Sequence, residues 1–256
     1  MKSVTNAIAL ITGANKGIGF ETARRLAELG MSVLIGARDE ERGRAAEADL
    51  RQRGADARYV PLDVTDAGSI ARAAEWIDAE YGRLDVLVNN AGTATVSRRR
   101  ARASETSLDD MRAVYEVNVF GLVAVTNAML PLLRRAEAAR IVNVSSEVGS
   151  IGSQSDPASP LYAMPPSAQY PSSKAAVNML TAMYAKELKD TAIKVNAANP
   201  GFTDTDFNDH RGIRSVADGA EPSVYLATLP ADGPTGILWG HLWLAEGEGG
   251  YGVLPW

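Results

Sequence analysis

The chain has 256 residues, of which 46% are hydrophobic, and it contains no cysteine, so it can bury a large core but has no disulfide or thiolate chemistry. Its net charge of −5 disfavours a nucleic-acid-binding protein, because phosphate backbones attract basic surfaces. Only His210 and His241 supply imidazole, and no carboxylate clusters with either at ligand spacing, so we expect no metal site.

The sequence also carries an expectation about location. Residues 1–9 lack a basic segment followed by a long apolar stretch, and no window has the unbroken apolar length of a membrane span. We therefore expect a cytoplasmic protein with no membrane partner. One local basic run, Arg98 to Arg100 with Arg102, is interpreted as a solvated loop, with a phosphate contact as the alternative.

Short β-rich runs alternate with longer helical patterns along the chain. Strands are predicted at 7–12, 32–36, 57–62, 86–89, 141–144, 194–198 and 237–242. Helices are predicted at 17–29, 39–53, 67–81, 107–133 and 168–188. This alternation predicts an α/β fold, a Rossmann-like doubly wound parallel sheet of about seven strands with helices on both faces. We expect one domain over 1–256, with a Ser/Pro/Gly-rich insertion loop at about 150–168.

A glycine-rich turn lies between the first predicted strand and the first helix. Gly13, Gly17 and Gly19 follow the spacing Gly-x-x-x-Gly-x-Gly, at the place where such a sheet binds a dinucleotide. Glycine lets the backbone approach a pyrophosphate, and the following helix offers free amides and a positive dipole end. The intervening Asn15, Lys16 and Ile18 are included in the predicted cofactor site. A simple strand-to-helix turn is the alternative.

The end of the second strand predicts which dinucleotide binds. NAD-selective sites usually place a carboxylate there, but this chain has Ala37 followed by Arg38, with Arg42 one helical turn later. Guanidinium groups suit the 2′-phosphate of NADP, and Lys16 points to the same corner. Asp39 is the counter-argument, because it can pair with Arg42 or accept from a ribose hydroxyl. The sequence therefore favours NADP(H) over NAD.

Two further strand ends complete the predicted cofactor site. Asp63, followed by Val64, is placed to accept from the adenine amino group, with a helix-capping or turn role as the alternative. Asn90, Ala91 and Gly92 end the fourth strand, where small residues admit the adenine ribose. Asn89 beside them is equally suited to tying neighbouring strands together.

Four residues predict proton-transfer chemistry. Tyr170 and Lys174 are four apart and share one face of a helix, where a nearby ammonium lowers the pKa of a phenol and makes it a usable acid or base. Ser146, at the end of the fifth strand, is placed to hydrogen-bond a carbonyl oxygen. Asn118 is a polar residue in an apolar helix, suited to holding a relay water or to bending the helix as a core amide.

These motifs together resemble the short-chain dehydrogenase/reductase family, in order and spacing over nearly the whole chain. The arginines at 38 and 42 and the segment 219–227 resemble its NADPH-dependent carbonyl reductase branch. The resemblance implies that Ser146 orients the substrate, Tyr170 is the catalytic acid, Lys174 lowers its pKa and binds the nicotinamide ribose, and Asn118 anchors a water. It further implies cofactor contacts from the segment after the sixth strand, namely Pro200, Gly201, Phe202, Thr203 and Thr205.

The expected activity is reduction of a ketone or aldehyde by NADPH. The alternatives are an NADP-dependent alcohol dehydrogenase working oxidatively and a non-catalytic NADP sensor. The insertion at about 150–168 resembles one that covers an oligomerising helix face in carbonyl reductases, so a monomer is favoured. The resemblance also implies that residues 204–218 form a lid over the substrate. This segment is short and polar, with Phe207 its main apolar residue, which predicts an open pocket and tolerance of varied or bulky carbonyl substrates.

Overall fold

The computed structural model describes residues 6–94, 102–242 and 250–256. The basic run at Arg98 to Arg100 and the tryptophan at 243 lie outside these described residues. Within them the chain forms one sheet covered by helices on both faces, which confirms the predicted α/β, Rossmann-like fold.

Among the described residues, eight strands make up the sheet, in the order β3-β2-β1-β4-β5-β6-β7-β8. They are β1 (Ile8–Thr12), β2 (Ser32–Ala37), β3 (Ala57–Pro61), β4 (Val86–Asn89), β5 (Arg140–Val144), β6 (Lys194–Asn199), β7 (Leu238–His241) and β8 (Tyr251–Leu254). The first seven run parallel, and the strand order reverses between β1 and β4. A doubly wound sheet binds its ligand at the carboxyl ends of the strands beside such a reversal.

The α-helices fall in the connections between strands. They are α1 (Gly17–Glu28), α2 (Glu40–Gln52), α3 (Ala67–Tyr81), α4 (Leu108–Tyr115), α5 (Leu122–Leu133), α6 (Ile151–Ser155), α7 (Gln169–Glu187) and α8 (Val216–Ala227). Short 3₁₀ turns lie at Ala103–Glu105, Glu147–Gly149, Pro160–Ala163 and Asp206–Asn208. The predicted insertion loop thus contains α6 and one of these 3₁₀ turns.

Alternate strand residues build a core on each face of the sheet. Ile8 and Leu10 of β1 pack in a cluster with α3, α5 and α7, whereas Ala9 and Ile11 pack in a second cluster with α1, α2 and α8. The near-continuous apolar strands of the sequence are explained by this two-sided burial, since both faces of a parallel sheet are covered.

One strand was missed by the sequence-based prediction. β8 pairs antiparallel with β7, with His241 opposite Tyr251. Tyr-Gly-Val-Leu is too short, and contains a glycine, to show a strand periodicity, so the prediction of about seven strands was one short. The last strand adds an antiparallel edge to an otherwise parallel sheet.

The predicted helix over 107–133 is a continuous helical segment interrupted by a π-helical turn at Glu116–Gly121. A Cβ at Gly121 would lie 2.8 Å from the carbonyl oxygen of Val64, so glycine lets this turn approach the loop after β3. Residues Leu108–Leu133 are also long and apolar enough to cross a membrane, contrary to the prediction that no window would be. Half of the most apolar window is buried inside the protein, so this is weak evidence for a membrane span.

Candidate active site

The glycine-rich turn is shaped so that only glycine fits at two of its positions. Gly13 has a φ of +65°, and a Cβ there would lie 3.0 Å from the Cα of Ala91. A Cβ at Gly19 would lie 2.4 Å from Nδ2 of Asn90. The same Nδ2 donates to the carbonyl oxygen of Thr12 at 2.8 Å. Asn90 therefore braces the turn against the end of β4, a role that the sequence did not predict for it.

The N-terminus of α1 is open towards this turn. Lys16 occupies the N-cap position without a side-chain capping hydrogen bond, and no acidic residue lies in the first helical turn. By contrast, the side chain of Asp39 caps α2. Uncapped amides and a positive helix end are the groups that a pyrophosphate accepts from. The glycine-rich turn and the N-terminus of α1 thus form a phosphate cradle that fits a dinucleotide. Asn15 precedes the N-cap residue Lys16, and Ile18 follows Gly17, the first helical residue.

The cationic groups predicted at the end of β2 differ in their contacts. Arg38 is exposed, and within the described part of the chain no carboxylate pairs with it. Arg42 lies 3.5 Å from the carboxylate of Asp39, which also accepts from the Arg42 backbone amide at 3.0 Å. Lys16 forms a 2.6 Å ion pair with Asp206. Arg38 is therefore the guanidinium at this corner whose donors are open to a phosphate.

Asp63, after β3, and Asn89, at the end of β4, form hydrogen bonds within the protein. Oδ1 of Asp63 accepts from the amide and the hydroxyl of Thr65, at 2.9 and 2.8 Å, so Asp63 has the turn role considered as its alternative. Nδ2 of Asn89 donates to Oδ1 of Asn143 on β5 at 2.9 Å. Asn89 thus ties two neighbouring strands together beneath the predicted ribose position.

Tyr170 lies in the first turn of α7, and its phenol is near the hydroxyl of Ser146. Burial raises the pKa of Tyr170 to about 12, and the interaction with Ser146 offsets only part of that shift. In the protein by itself the shift is therefore upward, and the lowered pKa expected beside Lys174 and an oxidised nicotinamide ring stays a prediction for the cofactor complex. The physical reason is that removal from water outweighs the polar contacts around the phenol.

Lys174 lies one turn further along α7 and is buried. Its Nζ is 5.6 Å from the centre of the Tyr170 ring and donates to the carbonyl oxygen of Val144, at the end of β5, at 2.7 Å. Burial lowers the pKa of Lys174 to about 8. The ammonium is thus placed beside the phenol, as the spacing of four residues predicts, but its direct partner is a backbone carbonyl.

Asn118 lies in the π-helical turn, and its side chain is fully engaged. Its Oδ1 accepts from the amide of Thr93 at 2.8 Å, and its Nδ2 donates to the carbonyl of Thr93 at 2.9 Å and to Oγ of Ser173 at 3.0 Å. The side chain thus fastens the loop after β4 to α7, between Tyr170 and Lys174. A Cβ at Gly92 in that loop would lie 3.8 Å from Nζ of Lys174, so Gly92 belongs to the same corner.

The segment after β6 lies over the glycine turn. Gly201 has a φ of +71°, and the amides of Ile213 and Arg214 donate to the carbonyl of Phe202, which closes the base of the segment. Thr203 is buried against α8, where a Cβ at Gly219 would lie 2.4 Å from its Oγ1. Thr205 lies close to the turn, since a Cβ at Gly17 would lie 3.5 Å from its methyl group. Of the predicted cofactor contacts in this segment, Thr205 thus faces the phosphate cradle and Thr203 faces the protein.

Two supporting contacts were missed by sequence reasoning. A Cβ at Gly149 would lie 2.5 Å from the backbone carbon of Lys174, so this glycine lets the loop that carries Ser146 pack directly on α7. Ser145 is buried beside it and donates to the side chain of Asn178. Neither residue has a sequence signal of its own, because each depends on how closely two distant elements approach.

Trp239 of β7 belongs to a stack of aromatic rings. Its ring is stacked between Tyr225, with centroids 4.0 Å apart, and Tyr251, with centroids 5.5 Å apart. Trp239 also packs against the core cluster that α1, α2 and α8 cover. Phe207 instead contacts the catalytic region, with its ring centroid 5.7 Å from that of Tyr170.

Comparisons with known proteins agree with this geometry. Residues 7–214 match the family model of short chain dehydrogenases. The chain is 38% identical to the short-chain dehydrogenase anuI of Penicillium roqueforti, covering 89% of this chain and 91% of that protein. It is 33% identical to the NADPH carbonyl reductase 1 of Bos taurus, covering 91% and 96% of the two chains.

Solved structures of short-chain reductases also resemble this chain. The NADPH-bound carbonyl reductase from chicken fatty liver superimposes with a TM-score of 0.80 at 28% identity, covering 92% of this chain and 96% of that one. The family match spans most of the chain, and the relatives are similar over nearly their full length. The chain therefore belongs to the short-chain dehydrogenase/reductase family of oxidoreductases and resembles its carbonyl reductase branch.

Proposed function

We propose that this oxidoreductase reduces a ketone or aldehyde to an alcohol with NADPH, and that Tyr170 is its general acid. The observation that carries the proposal is the position of Nζ of Lys174, which is buried 5.6 Å from the centre of the half-buried Tyr170 ring, with the hydroxyl of Ser146 close enough to the phenol to lower its pKa. Two neighbouring hydroxyls beside a buried ammonium can stabilise a carbonyl oxygen that gains negative charge during reduction.

Each side chain has a distinct part in this proposal. The bound dinucleotide supplies the hydride. Ser146 and Tyr170 hydrogen-bond the substrate oxygen, and Tyr170 gives it a proton as the carbonyl is reduced. Lys174, held by the Val144 carbonyl, stabilises the phenolate that remains, and Asn118 fixes the loop and helix that frame the pair. A pKa of about 12 keeps the proton on Tyr170 at neutral pH, as a general acid requires.

The preference for NADP(H) is proposed from the end of β2. Arg38 is exposed there, and no carboxylate among the described residues neutralises it. Arg42 and Lys16 lie at the same corner in exposed ion pairs, which cost little to open when a phosphate offers a second charge. The NADPH of the carbonyl reductase relatives supports the same assignment. We further propose cofactor contacts from the predicted residues that face the cradle, namely Gly13, Asn15, Gly17, Ile18, Gly19, Ala91, Gly92 and Thr205.

Oxidation of an alcohol with NADP is the second candidate, because some relatives are named dehydrogenases, such as the (+)-neomenthol dehydrogenase of Arabidopsis thaliana. Rates measured in both directions decide between the two. A non-catalytic NADP sensor is disfavoured, since binding alone does not require a paired Ser146 and Tyr170 beside a buried lysine. The single domain over 1–256, the monomeric state and the cytoplasmic location stay predictions.

Tyr170→Phe tests the proposal. Loss of the general acid is expected to lower turnover with NADPH by about 10² to 10⁴-fold, while the dissociation constant for NADPH changes little. Tyr162→Phe is the matched control, because Tyr162 is an exposed phenol in the insertion and its removal leaves turnover unchanged. Substrate loss is followed by NADPH absorbance over a panel of aldehydes and ketones. Turnover retained by Tyr170→Phe would remove Tyr170 from its proposed role.

A further inference from the structure

An aromatic side chain from the lid region lies against the catalytic phenol. Phe207 belongs to the short helix Asp206–Asn208, between β6 and α8. Its ring centroid is 5.7 Å from that of Tyr170, with the two planes at 59°. The Phe207 side chain is nevertheless 46% exposed. One part of the ring thus packs on the ring of Tyr170, and the rest is exposed.

The position of Phe207 is fixed by its neighbours. Asp206 forms the 2.6 Å ion pair with Lys16 of the glycine turn. Nδ2 of Asn208 donates to the carbonyl oxygen of Thr203 at 2.8 Å, on the other side of Phe207. The ring of His210 bridges the carboxylates of Asp206 and Asp204, at 2.8 Å each. Residues on both sides of Phe207 are therefore tied to the phosphate cradle and to the base of the lid.

We propose that Phe207 is a specificity-determining residue that selects carbonyl compounds bearing an aromatic or other flat apolar group next to the carbonyl. This proposal rests on the reductase function proposed above and names its substrate class. An exposed aromatic ring gains most from covering by another apolar surface, and ring pairs prefer the tilted or stacked contacts that an adjacent flat group provides. A substrate oxygen at Tyr170 places its neighbouring group within reach of this ring.

The polar groups near Phe207 disfavour the opposite substrate class. A keto acid needs a cation free to bind its carboxylate. Lys16 and His210 are engaged with Asp204 or Asp206, and Arg211 lies 3.8 Å from the carboxylate of Asp209. Arg214, at the base of the segment, donates to the hydroxyl of Tyr251 on β8. The cations nearest Phe207 in sequence or contact are thus held by carboxylates, which favours its apolar surface as the feature for recognition.

The test compares substrates that share a methyl ketone and differ in the other group, namely acetophenone and 2-butanone. For Phe207→Ala, we expect kcat/KM for acetophenone to fall by about ten- to a hundredfold, the range for lost apolar contacts in a binding pocket. The value for 2-butanone is expected to change by less than about threefold, by the same reasoning. Phe207→Leu, which keeps apolar bulk without a ring, is expected to lie between. NADPH affinity, measured by fluorescence, should be unchanged in both variants.

Ile213→Ala is the matched control, because it removes an apolar side chain that is 81% exposed in the same lid segment. It should leave the ratio of the two kcat/KM values unchanged. An equal loss for both ketones in Phe207→Ala, or weaker NADPH binding, overturns the proposal and makes Phe207 a support for Tyr170 or the cradle. A wild-type enzyme that prefers 2-butanone also overturns it. A wild-type enzyme that reduces neither ketone nor any other carbonyl compound overturns the reductase function itself.

Discussion

Lys174→Met is predicted to stabilise the fold at neutral pH while removing activity. Lys174 is buried, and its pKa falls from 10.5 to about 8 because the ammonium has lost its water. A difference of that size corresponds to about 3 kcal/mol of unfavourable free energy for the charged form. Methionine has a similar length and no charge. The change also removes the donor to the Val144 carbonyl, a hydrogen bond worth about 1 kcal/mol.

These free-energy contributions determine the sign of the stability difference between the two proteins and the pH range over which it changes. The unfolded chain binds a proton at Lys174 up to about pH 10.5, whereas the folded chain releases it at about pH 8. The unfolded state therefore binds more protons between these values, and wild-type stability rises with pH across that window. Lys174→Met should be more stable than wild type by about 2 kcal/mol at pH 7. At pH 10 the two proteins should be about equally stable, because the remaining charge penalty and the lost hydrogen bond are each about 1 kcal/mol.

Urea unfolding of both proteins from pH 7 to pH 10, without added dinucleotide, measures this difference. The pH-dependent contributions of all other groups cancel between the two proteins. Parallel stability curves would refute the reasoning, because they would mean that Lys174 keeps its ordinary pKa and is hydrated in the folded state. Lys186→Met, in the last turn of the same helix, is the control and should leave the pH dependence unchanged.

Two further predictions concern the phosphate corner and the lid. Arg38→Asp should lower the ratio of NADP to NAD affinity by at least about a hundredfold, because a charged hydrogen bond is replaced by repulsion. Arg51→Asp, at the far end of α2, is the control and should leave this ratio unchanged. Titration of each protein with both cofactors measures the ratio, and a ratio equal to that of wild type in Arg38→Asp would exclude Arg38 from the site. Hydrogen bonds to Asp204 and then Asp206 raise the pKa of His210 above 6.5, so its protonated form favours the ordered lid and this contribution is lost as pH rises through the raised pKa. The rate of trypsin cleavage within the lid is measured for wild type and for His210→Gln, and the ratio of the two rates should increase as pH rises over that range. A ratio that does not change with pH would show that the histidine does not hold the lid.

The sheet was largely predictable because both of its faces are buried. Strands covered on two sides appear as short apolar runs, and the seven parallel strands lie within two residues of their predicted bounds. What escaped prediction depends on contacts between distant segments. The π-helical turn at Glu116–Gly121 requires the carbonyl of Val64 to approach Gly121, and β8 requires an edge at β7 to pair with.

The candidate site, like the fold, was predictable only in part. Spacing and position after strands sufficed to place Ser146, Tyr170 and Lys174 together, since two of them share a helix face and the third ends an adjacent strand. The electrostatics were not predictable from spacing. Burial sets the pKa of both titrating groups, and burial depends on the packing of the loop at Gly149 on α7, which no local pattern encodes.

The opposite pKa shifts of Tyr170 and Lys174 bear on the direction of the reaction. One cause, burial, favours the neutral form of both groups, so the phenol keeps its proton at neutral pH and Lys174 begins to lose its proton only at about pH 8. Reduction begins with a protonated Tyr170, which the folded protein provides at neutral pH. Oxidation must begin with a phenolate, against a pKa of about 12, unless positive charge arrives with the ligand. The protein alone therefore favours proton donation, and any oxidative activity depends more strongly on pH and on the charge of what binds beside the phenol.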